Sequence, residues 1–548
     1  MLSVFLYVII KMELINMYPF KQLNKKKFFG CYLNALIENL CIYLIPLVLS
    51  FYTKEPFTLE KFKILIILLI SLHIIRLSCD SIWTIYVSTY IQKFKNKLQL
   101  SYFNRLYKMR SELLDENHNG FIKKQIDVVV SESESFLRFI MSTVNGFVIA
   151  MTIFLYQVYQ QDKGIFIFTI GLIILIIIIN MKISKMAVKV QKKYNEENAG
   201  YNACYVDFLQ NIKTVKKLKA INFSKSKINK KFNDTVLPYK RMKQVVSLRA
   251  HGISFLIYLM YFVILISLYF KMKSGENVLS YILFYATIFQ GVGRELIDLS
   301  GFFSNINSLT AASNRLEEII EEENSKYITN FEKLELSNIK YQYQEQSNTI
   351  IKIDQLVINK NDKVAIIGES GQGKTTVLNI IAKDILTPPE NYKINDLKTT
   401  KKLDIAFISQ ETNLFDLTIR ENLTLGKEMK DDELLKLIKE AGLENWYNRL
   451  KEGLDTRVGE EGLRLSTGQK QRLNLIRGII EDKEIYILDE PTSNLDKISE
   501  EKIIDMITNY LANKTIIIVT HRPDIEKICN KIYEFKENNL VLKTEKLR

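Results

Sequence analysis

Between Gly164 and Asn180 the chain carries no charged residue, although charged residues make up 25% of its 548 positions. A bilayer core of about 30 Å is crossed by roughly 20 helical residues, and an uncharged run of this length reads as a membrane span. A buried helix of a soluble core is the bland alternative for that run. Six apolar stretches near the length of a membrane span are present: Tyr32 to Tyr52, Phe62 to about Tyr90, Phe139 to Tyr159, Ile165 to Met181, Ile253 to Phe270 and Val278 to Val292. Arg294 and Glu295 cut the last one short, and it is retained because an even number of spans keeps both chain ends on one side.

Lys21, Lys25, Lys26 and Lys27 precede the first stretch, and from Lys182 to Arg249 there are 17 Lys or Arg against 4 Asp or Glu. Basic loops stay on the cytoplasmic side. The chain is therefore expected to pass several times through the cell membrane, with both termini in the cytoplasm and the lipid bilayer as its surroundings. The long basic loops contain few turn signals and read as helices continuing beyond the bilayer. Those same loops account for the excess of 75 Lys and Arg over 61 Asp and Glu, so nucleic acid is not an expected partner. Cys31, Cys41, Cys79, Cys204 and Cys529 form no C-x-x-C pair, which argues against a disulfide framework or a zinc knuckle. Met1 to Ile10 is apolar without a basic leader or a small-residue cleavage site, so residues 1–28 are read as an N-terminal segment with an interfacial helix; a start at Met12 or Met17 also fits.

Beyond Ser300 the pattern changes. A helical stretch through Arg315 to Glu323 leads to a polar join, after which short β-branched runs alternate with helices, the mark of an α/β domain. The expected division is a six-span domain at 29–323, a linker at 324–330 and an α/β domain at 331–548.

In that last region the strand-like Val364-Ala-Ile-Ile367 leads into Gly368-Glu369-Ser370-Gly371-Gln372-Gly373-Lys374-Thr375-Thr376 and then a helical run, fitting G-x-x-x-x-G-K-[ST] in its strand, loop and helix setting. Glycines let backbone amides approach phosphates and the helix N-terminus favours an anion. Lys374 then reaches the β- and γ-phosphates, and the Thr375 hydroxyl suits Mg²⁺. A second buried-strand pattern, Ile485-Tyr-Ile-Leu488, ends in Asp489 and Glu490. Asp489 would hold Mg²⁺ through water and Glu490 would polarise the attacking water as general base. Two acids after a strand are, taken alone, more often a solvated strand end; the loop and the strand together point to nucleotide hydrolysis.

On these residues the domain resembles the nucleotide-binding domain of an ABC transporter. Tyr343 in Lys340-Tyr-Gln-Tyr343 resembles the aromatic that stacks on adenine. Gln410 in Phe407-Ile-Ser-Gln410 resembles the glutamine that contacts ATP-bound Mg²⁺ and the membrane domain. Leu465-Ser466-Thr467-Gly468-Gln469 resembles the LSGGQ signature, Ser493-Asn-Leu-Asp496 the D-loop, and Thr520-His521-Arg522 the switch histidine. Taken singly, Tyr343 is also an ordinary sheet aromatic, Gln410 a loop polar residue and His521 a strand-end histidine. The family has Gly where this chain has Thr467, while Ser466 and Gly468 remain, and Thr467 is expected to be tolerated. Residues 21–323 resemble the six-span exporter domain of the same family.

The resemblance implies a membrane all-α six-helix exporter domain followed by an α/β P-loop ABC nucleotide-binding domain. It also implies a half-transporter working with a second half-transporter, as homodimer or heterodimer, with ATP and Mg²⁺ as cofactors. Glu490, His521 and Lys374 are then the catalytic residues of an ATPase. It would drive export, or flipping, of an unknown hydrophobic, amphipathic or peptide substrate; an ATP-gated regulatory or channel-like protein is the alternative. Charges inside spans are costly and face a cavity or one another. His73, Arg76 and Asp80 share one helical face, and with Glu38 and Asn145 they are expected to line the substrate pathway, an internal ion pair being the bland alternative.

Overall fold

The computed structural model describes residues 18–53, 58–109, 119–320, 327–342, 350–369, 371–399, 401–410, 413–459, 465–493 and 495–546. They fall into two units. The first is all-helical. Its helix α1 (Lys25–Tyr52) starts where the Asn24 side chain accepts from the Lys27 amide, and α2 (Leu59–Ile82) starts where Thr58 accepts from Lys61. Through a π-helical turn at Trp83–Val87, α2 runs on into α3 (Ser88–Tyr107). A second π turn, Ile140–Val144, joins α4 (Asn119–Phe139) to α5 (Asn145–Gln161). Only Asp162 separates α5 from α6 (Lys163–Gln210), and its carboxylate accepts from the amides of Gly164 and Ile165 to cap the new helix. The short α7 (Ile212–Lys217) precedes α8 (Ile221–Lys273) and α9 (Leu279–Ile319).

At 1.5 Å per residue, the 48 residues of α6 extend about 72 Å, more than twice the thickness of a bilayer core. Among the described residues, five helical stretches are long and apolar enough to cross a membrane: Lys25–Tyr52, Leu59–Tyr107, Ile122–Gln161, Lys163–Gln210 and Ile221–Lys273. That is one fewer than the six expected. The sixth segment does form a helix, α9, but Gln290, Arg294 and Glu295 dilute its apolar run. Packing keeps it in the bundle nonetheless: Phe284, Tyr285, Ile288, Val292 and Leu296 are buried with Ile149 and Phe154 of α5, Ile176 of α6 and Met260 of α8.

The second unit is an α/β domain. Its strands are β1 (Tyr327–Ile328), β2 (Lys333–Tyr341), β3 (Ile351–Asn359), β4 (Lys363–Ile367), β5 (Tyr392–Ile394), β6 (Leu397–Lys398), β7 (Lys402–Leu403), β8 (Ile405–Ile408), β9 (Ile485–Asp489), β10 (Thr515–Val519), β11 (Lys531–Lys536) and β12 (Asn539–Glu545). Ten of them form one sheet in the order β6-β5-β2-β3-β12-β11-β4-β10-β9-β8. Tyr327–Ile328, in the segment expected as linker, instead pairs in parallel with Lys402–Leu403.

Side chains alternate across the sheet, so each central strand feeds two cores. Val364, Ile366, Ile485, Ile487, Ile517 and Val519 enter one; Ala365, Ile367, Tyr486, Leu488, Ile516 and Ile518 enter the other. Strands β4, β10, β9 and β8 are mutually parallel. Their carboxyl ends therefore share one edge, which is where open α/β sheets place ligands.

Candidate nucleotide-binding site

After β4 the chain turns through three glycines before α10 (Lys374–Ile381) begins. Gly371 and Gly373 adopt φ of 84° and 95°, the left-handed region that favours glycine. A Cβ on Gly373 would stand 2.3 Å from Ile351 Cδ1, and one on Gly368 would stand 2.6 Å from Gln372 Oε1. Gly373 caps α10 with no side chain, so the amides of the first turn are left for an anion. Gln372 Oε1 accepts from the Glu369 amide at 2.9 Å and holds the loop's shape. Lys374 is only 6% exposed, and its Nζ donates to the carbonyls of Gly368 at 3.0 Å and Glu369 at 2.8 Å. Burial lowers the pKa of this ammonium, and the nearby Glu490 and Asp489 work the other way. Thr376 is buried beneath the loop.

Thr375 Oγ1 donates to Asp489 Oδ2 at 2.9 Å, joining α10 to the end of β9. Burial pushes the Asp489 carboxyl above the usual range, against the Thr375 hydrogen bond; Glu490 adds to the rise and Lys374 opposes it. Two hard oxygen donors side by side fit a Mg²⁺ ion, which keeps several waters and takes few protein ligands.

Strand register sets the rest. Ile408 pairs with Leu488, and Val519 pairs with both Asp489 and Ile366. Gln410 and Glu490 each lie two residues beyond a paired position, so they face each other, and Gln410 Nε2 donates to Glu490 Oε2 at 2.8 Å. On the other side, His521 Nε2 lies 3.4 Å from Glu490 Oε1. The Glu490 backbone has φ of 47° while its amide donates to the Val519 carbonyl at 3.0 Å, a turn that aims the carboxylate out of the strand end. Gln410, Glu490 and His521 thus converge from three strands, next to Thr375 and Asp489.

The signature residues form their own group at the head of α11 (Thr467–Glu481). Ser466 caps the helix, its hydroxyl accepting from the Gln469 amide at 3.2 Å while Gln469 Oε1 accepts from the Ser466 amide at 2.9 Å. Thr467 is the first helical residue and is exposed; neither it nor Gly468 has a positive φ. Tyr343 and Ser370 lie outside the described residues, as does Asn494 of the D-loop segment.

Two links were not foreseen. Gln471 Nε2 donates to Ser493 Oγ at 3.1 Å, tying the signature helix to the D-loop segment. Arg477, also on α11, donates through Nε to the Asn422 carbonyl at 2.8 Å and through a terminal nitrogen to the Asn413 carbonyl at 3.2 Å, bracketing the segment that follows Gln410. The sequence signal available was the capping box Thr418-Ile-Arg-Glu421, which starts a short helix (Ile419–Thr424) and so buries Asn422.

In the helical unit, His73, Arg76 and Asp80 are exposed on α2, and the half-buried Glu38 of α1 feels the charges of Asp80 and Arg76. Asn145 is wholly buried, donating to the Met141 carbonyl at 2.9 Å.

The family model for the ABC transporter matches residues 351–493, and that for the ABC transporter transmembrane region matches 27–292. The glutathione/L-cysteine transport system ATP-binding/permease protein CydC of Haemophilus influenzae is 29% identical over 260 residues, 43% of this chain and 44% of that protein. An ATP-dependent lipid A-core flippase of Pseudoalteromonas translucida is 32% identical over 221 residues, 38% of this chain and 37% of the relative. A sophorolipid transporter of Starmerella bombicola is 31% identical over 226 residues, 38% of this chain and 17% of the relative. The chain thus spans less than half the length of these curated relatives. A solved structure of a bacterial Atm1-family ABC exporter with ATP bound superposes with a TM-score of 0.82 over 94% of this chain and 95% of the other, at 19% identity, a likeness of fold.

Proposed function

The chain belongs to the ABC transporter family, its membrane region and ATP-binding region fused as in an exporter-type half-transporter, and from that premise we propose that it hydrolyses ATP to move a substrate outward across the membrane or between its leaflets. The observation that carries this reading is the convergence of Gln410, Glu490 and His521 beside the Thr375–Asp489 pair.

Lys374 and the amides of the glycine loop bind the phosphates of ATP. Thr375, Asp489 and Gln410 hold Mg²⁺, which when bound neutralises charge on the phosphates. Glu490 takes the proton of the attacking water. His521 fixes the Glu490 carboxylate from one side, as Gln410 does from the other, so the base is oriented before water arrives. Ser466, Gly468 and Gln469 open a helix whose N-terminus suits a phosphate, and they act on the nucleotide of a second half-transporter.

The substrate is hydrophobic, amphipathic or peptidic. Relatives named for lipid A-core and for sophorolipid favour an amphipathic molecule, and the one named for glutathione and L-cysteine keeps small peptides in the set. The test is Glu490→Gln in reconstituted protein: ATP binding retained and turnover lost about 10²- to 10⁴-fold, the usual share of a general base. Steady hydrolysis by that variant would remove Glu490 from its role.

A further inference from the structure

Glu295 of α9 is 8% exposed, and the Tyr43 hydroxyl of α1 donates to its Oε1 at 2.7 Å. Its Oε2 has no hydrogen-bond partner among the described residues. The carboxyl group rests on Gly146 of α5: a Cβ there would stand 2.3 Å from Glu295 Oε1 and 3.0 Å from Asn39 Oδ1. Asn39 Oδ1 and Glu295 Oε1 therefore border the same small space, no farther apart than the sum of those two distances.

Donors are short at this junction. Asn39 Nδ2 is spent on the carbonyls of Ala35 at 2.9 Å and Ser142 at 3.4 Å, and Asn145 Nδ2 on that of Met141 at 2.9 Å. Among the described residues, Glu295 Oε2 and Asn145 Oδ1 are buried acceptors with nothing donating to them, and Asn39 Oδ1 borders the same space over Gly146 as the carboxyl. The charged groups whose fields reach Glu295 are Arg294 and Asp298, exposed on its own helix; α1 contributes Tyr43, and α5 has no charged residue.

An ionised carboxylate with one hydrogen bond is among the costliest groups to bury, whereas a carboxylic acid is itself a donor. We propose that the junction of α1, α5 and α9 is a proton-binding site, in which Glu295 accepts from Tyr43 and donates its own proton to Asn39 Oδ1. No bond other than O–H is made or broken: the proton comes from water and returns to it when the helices part. Because α9 runs on toward the ATP-binding unit in sequence, separation of α9 from α1 is then linked to release of one proton, a coupling that the nucleotide site alone would not give.

Infrared spectroscopy of the full-length protein in vesicles tests the site without turnover or a known substrate. The carbonyl stretch of an un-ionised carboxylic acid is expected at neutral pH. Glu295→Gln should abolish it, and both Tyr43→Phe and Asn39→Leu should shift it. Glu295→Gln, whose amide can donate to Asn39 and accept from Tyr43, should also keep the melting temperature of the parent. Absence of a Glu295-dependent acid band overturns the proposal, as does a band indifferent to Tyr43→Phe and Asn39→Leu. A sodium-dependent rise in melting temperature that disappears in Glu295→Gln would assign the pocket to an alkali cation and also overturn it.

Discussion

Gln410 and Glu490 stand 80 residues apart in the chain, yet the amide of one donates to the carboxylate of the other at 2.8 Å. The contact follows from the parallel pairing of β8 with β9, which brings two positions just past the strand ends to the same level. It suits Gln410 to position Glu490, the proposed base, as well as to serve as a candidate Mg²⁺ ligand. Gln410→Glu would set a second carboxylate against Glu490, and like charges at this distance cannot both stay ionised. ATPase activity should fall at least about tenfold further in Gln410→Glu than in Gln410→Ala, a difference of about 1.4 kcal/mol in barrier. Phosphate release by the two variants, at matched ATP occupancy, is the measurement.

Gly373 combines left-handed backbone with contact distance to Ile351. Gly373→Ala costs about 1 to 2 kcal/mol for its backbone alone, and the methyl must also displace Ile351. The expected result is ATP affinity weaker by about tenfold or more. Pairing it with Ile351→Ala should recover the part due to the clash and leave the part due to φ. Equilibrium binding of a fluorescent ATP analogue separates the two.

The pieces read most directly from sequence are local ones. The glycine loop, its preceding strand and its following helix are contiguous, so Val364 to Thr376 could be placed without knowing the sheet. Asp489 and Glu490 were likewise legible as a strand end. What the sequence does not carry is register: nothing local says that Gln410 meets Glu490 or that Arg477 holds Asn413. The membrane half shows the same limit. Glu295 reads as an interruption of an apolar run because its partner Tyr43 lies 252 residues earlier. His73, Arg76 and Asp80 share a face by helical periodicity, yet periodicity does not say whether that face meets protein, and in this chain it is exposed.

Asp362 and Lys531 form a buried pair in the ATP-binding unit, 3.0 Å apart, with Glu545 at 3.3 Å from the same ammonium. Burial opposes the charge on Asp362, but the Asn359 amide, Asn530 and Lys531 outweigh it and hold the carboxyl below its usual range. A depressed carboxylate contributes stability above its unfolded value, near 3.9, and loses it as pH falls through the folded value. The pair should leave the melting temperature flat between about pH 5 and 8 and contribute to acid unfolding below about pH 4. Asp362→Asn should cost about 3 kcal/mol at neutral pH, the lower end for a broken buried pair because Glu545 remains. Thermal unfolding of the full chain followed across pH checks both statements.

The substitution at Thr467 turns on which groups shape the head of α11. Ser466 and Gln469 fix the helix start through their reciprocal hydrogen bonds, and Thr467 takes helical backbone at the first position with its side chain in solvent. Nothing there demands glycine. Thr467→Gly should therefore change stability by less than about 1 kcal/mol and leave ATPase activity of the assembled transporter near its parent value. Ser466→Ala removes both the cap, worth about 1 kcal/mol, and the hydroxyl proposed to reach the partner's nucleotide, so its ATPase activity should drop about tenfold or more. The contrast separates a tolerated residue from a damaging one. A several-fold gain in turnover for Thr467→Gly, with Ser466→Ala unchanged, would mean that the threonine, and not the cap, governs this end of the helix.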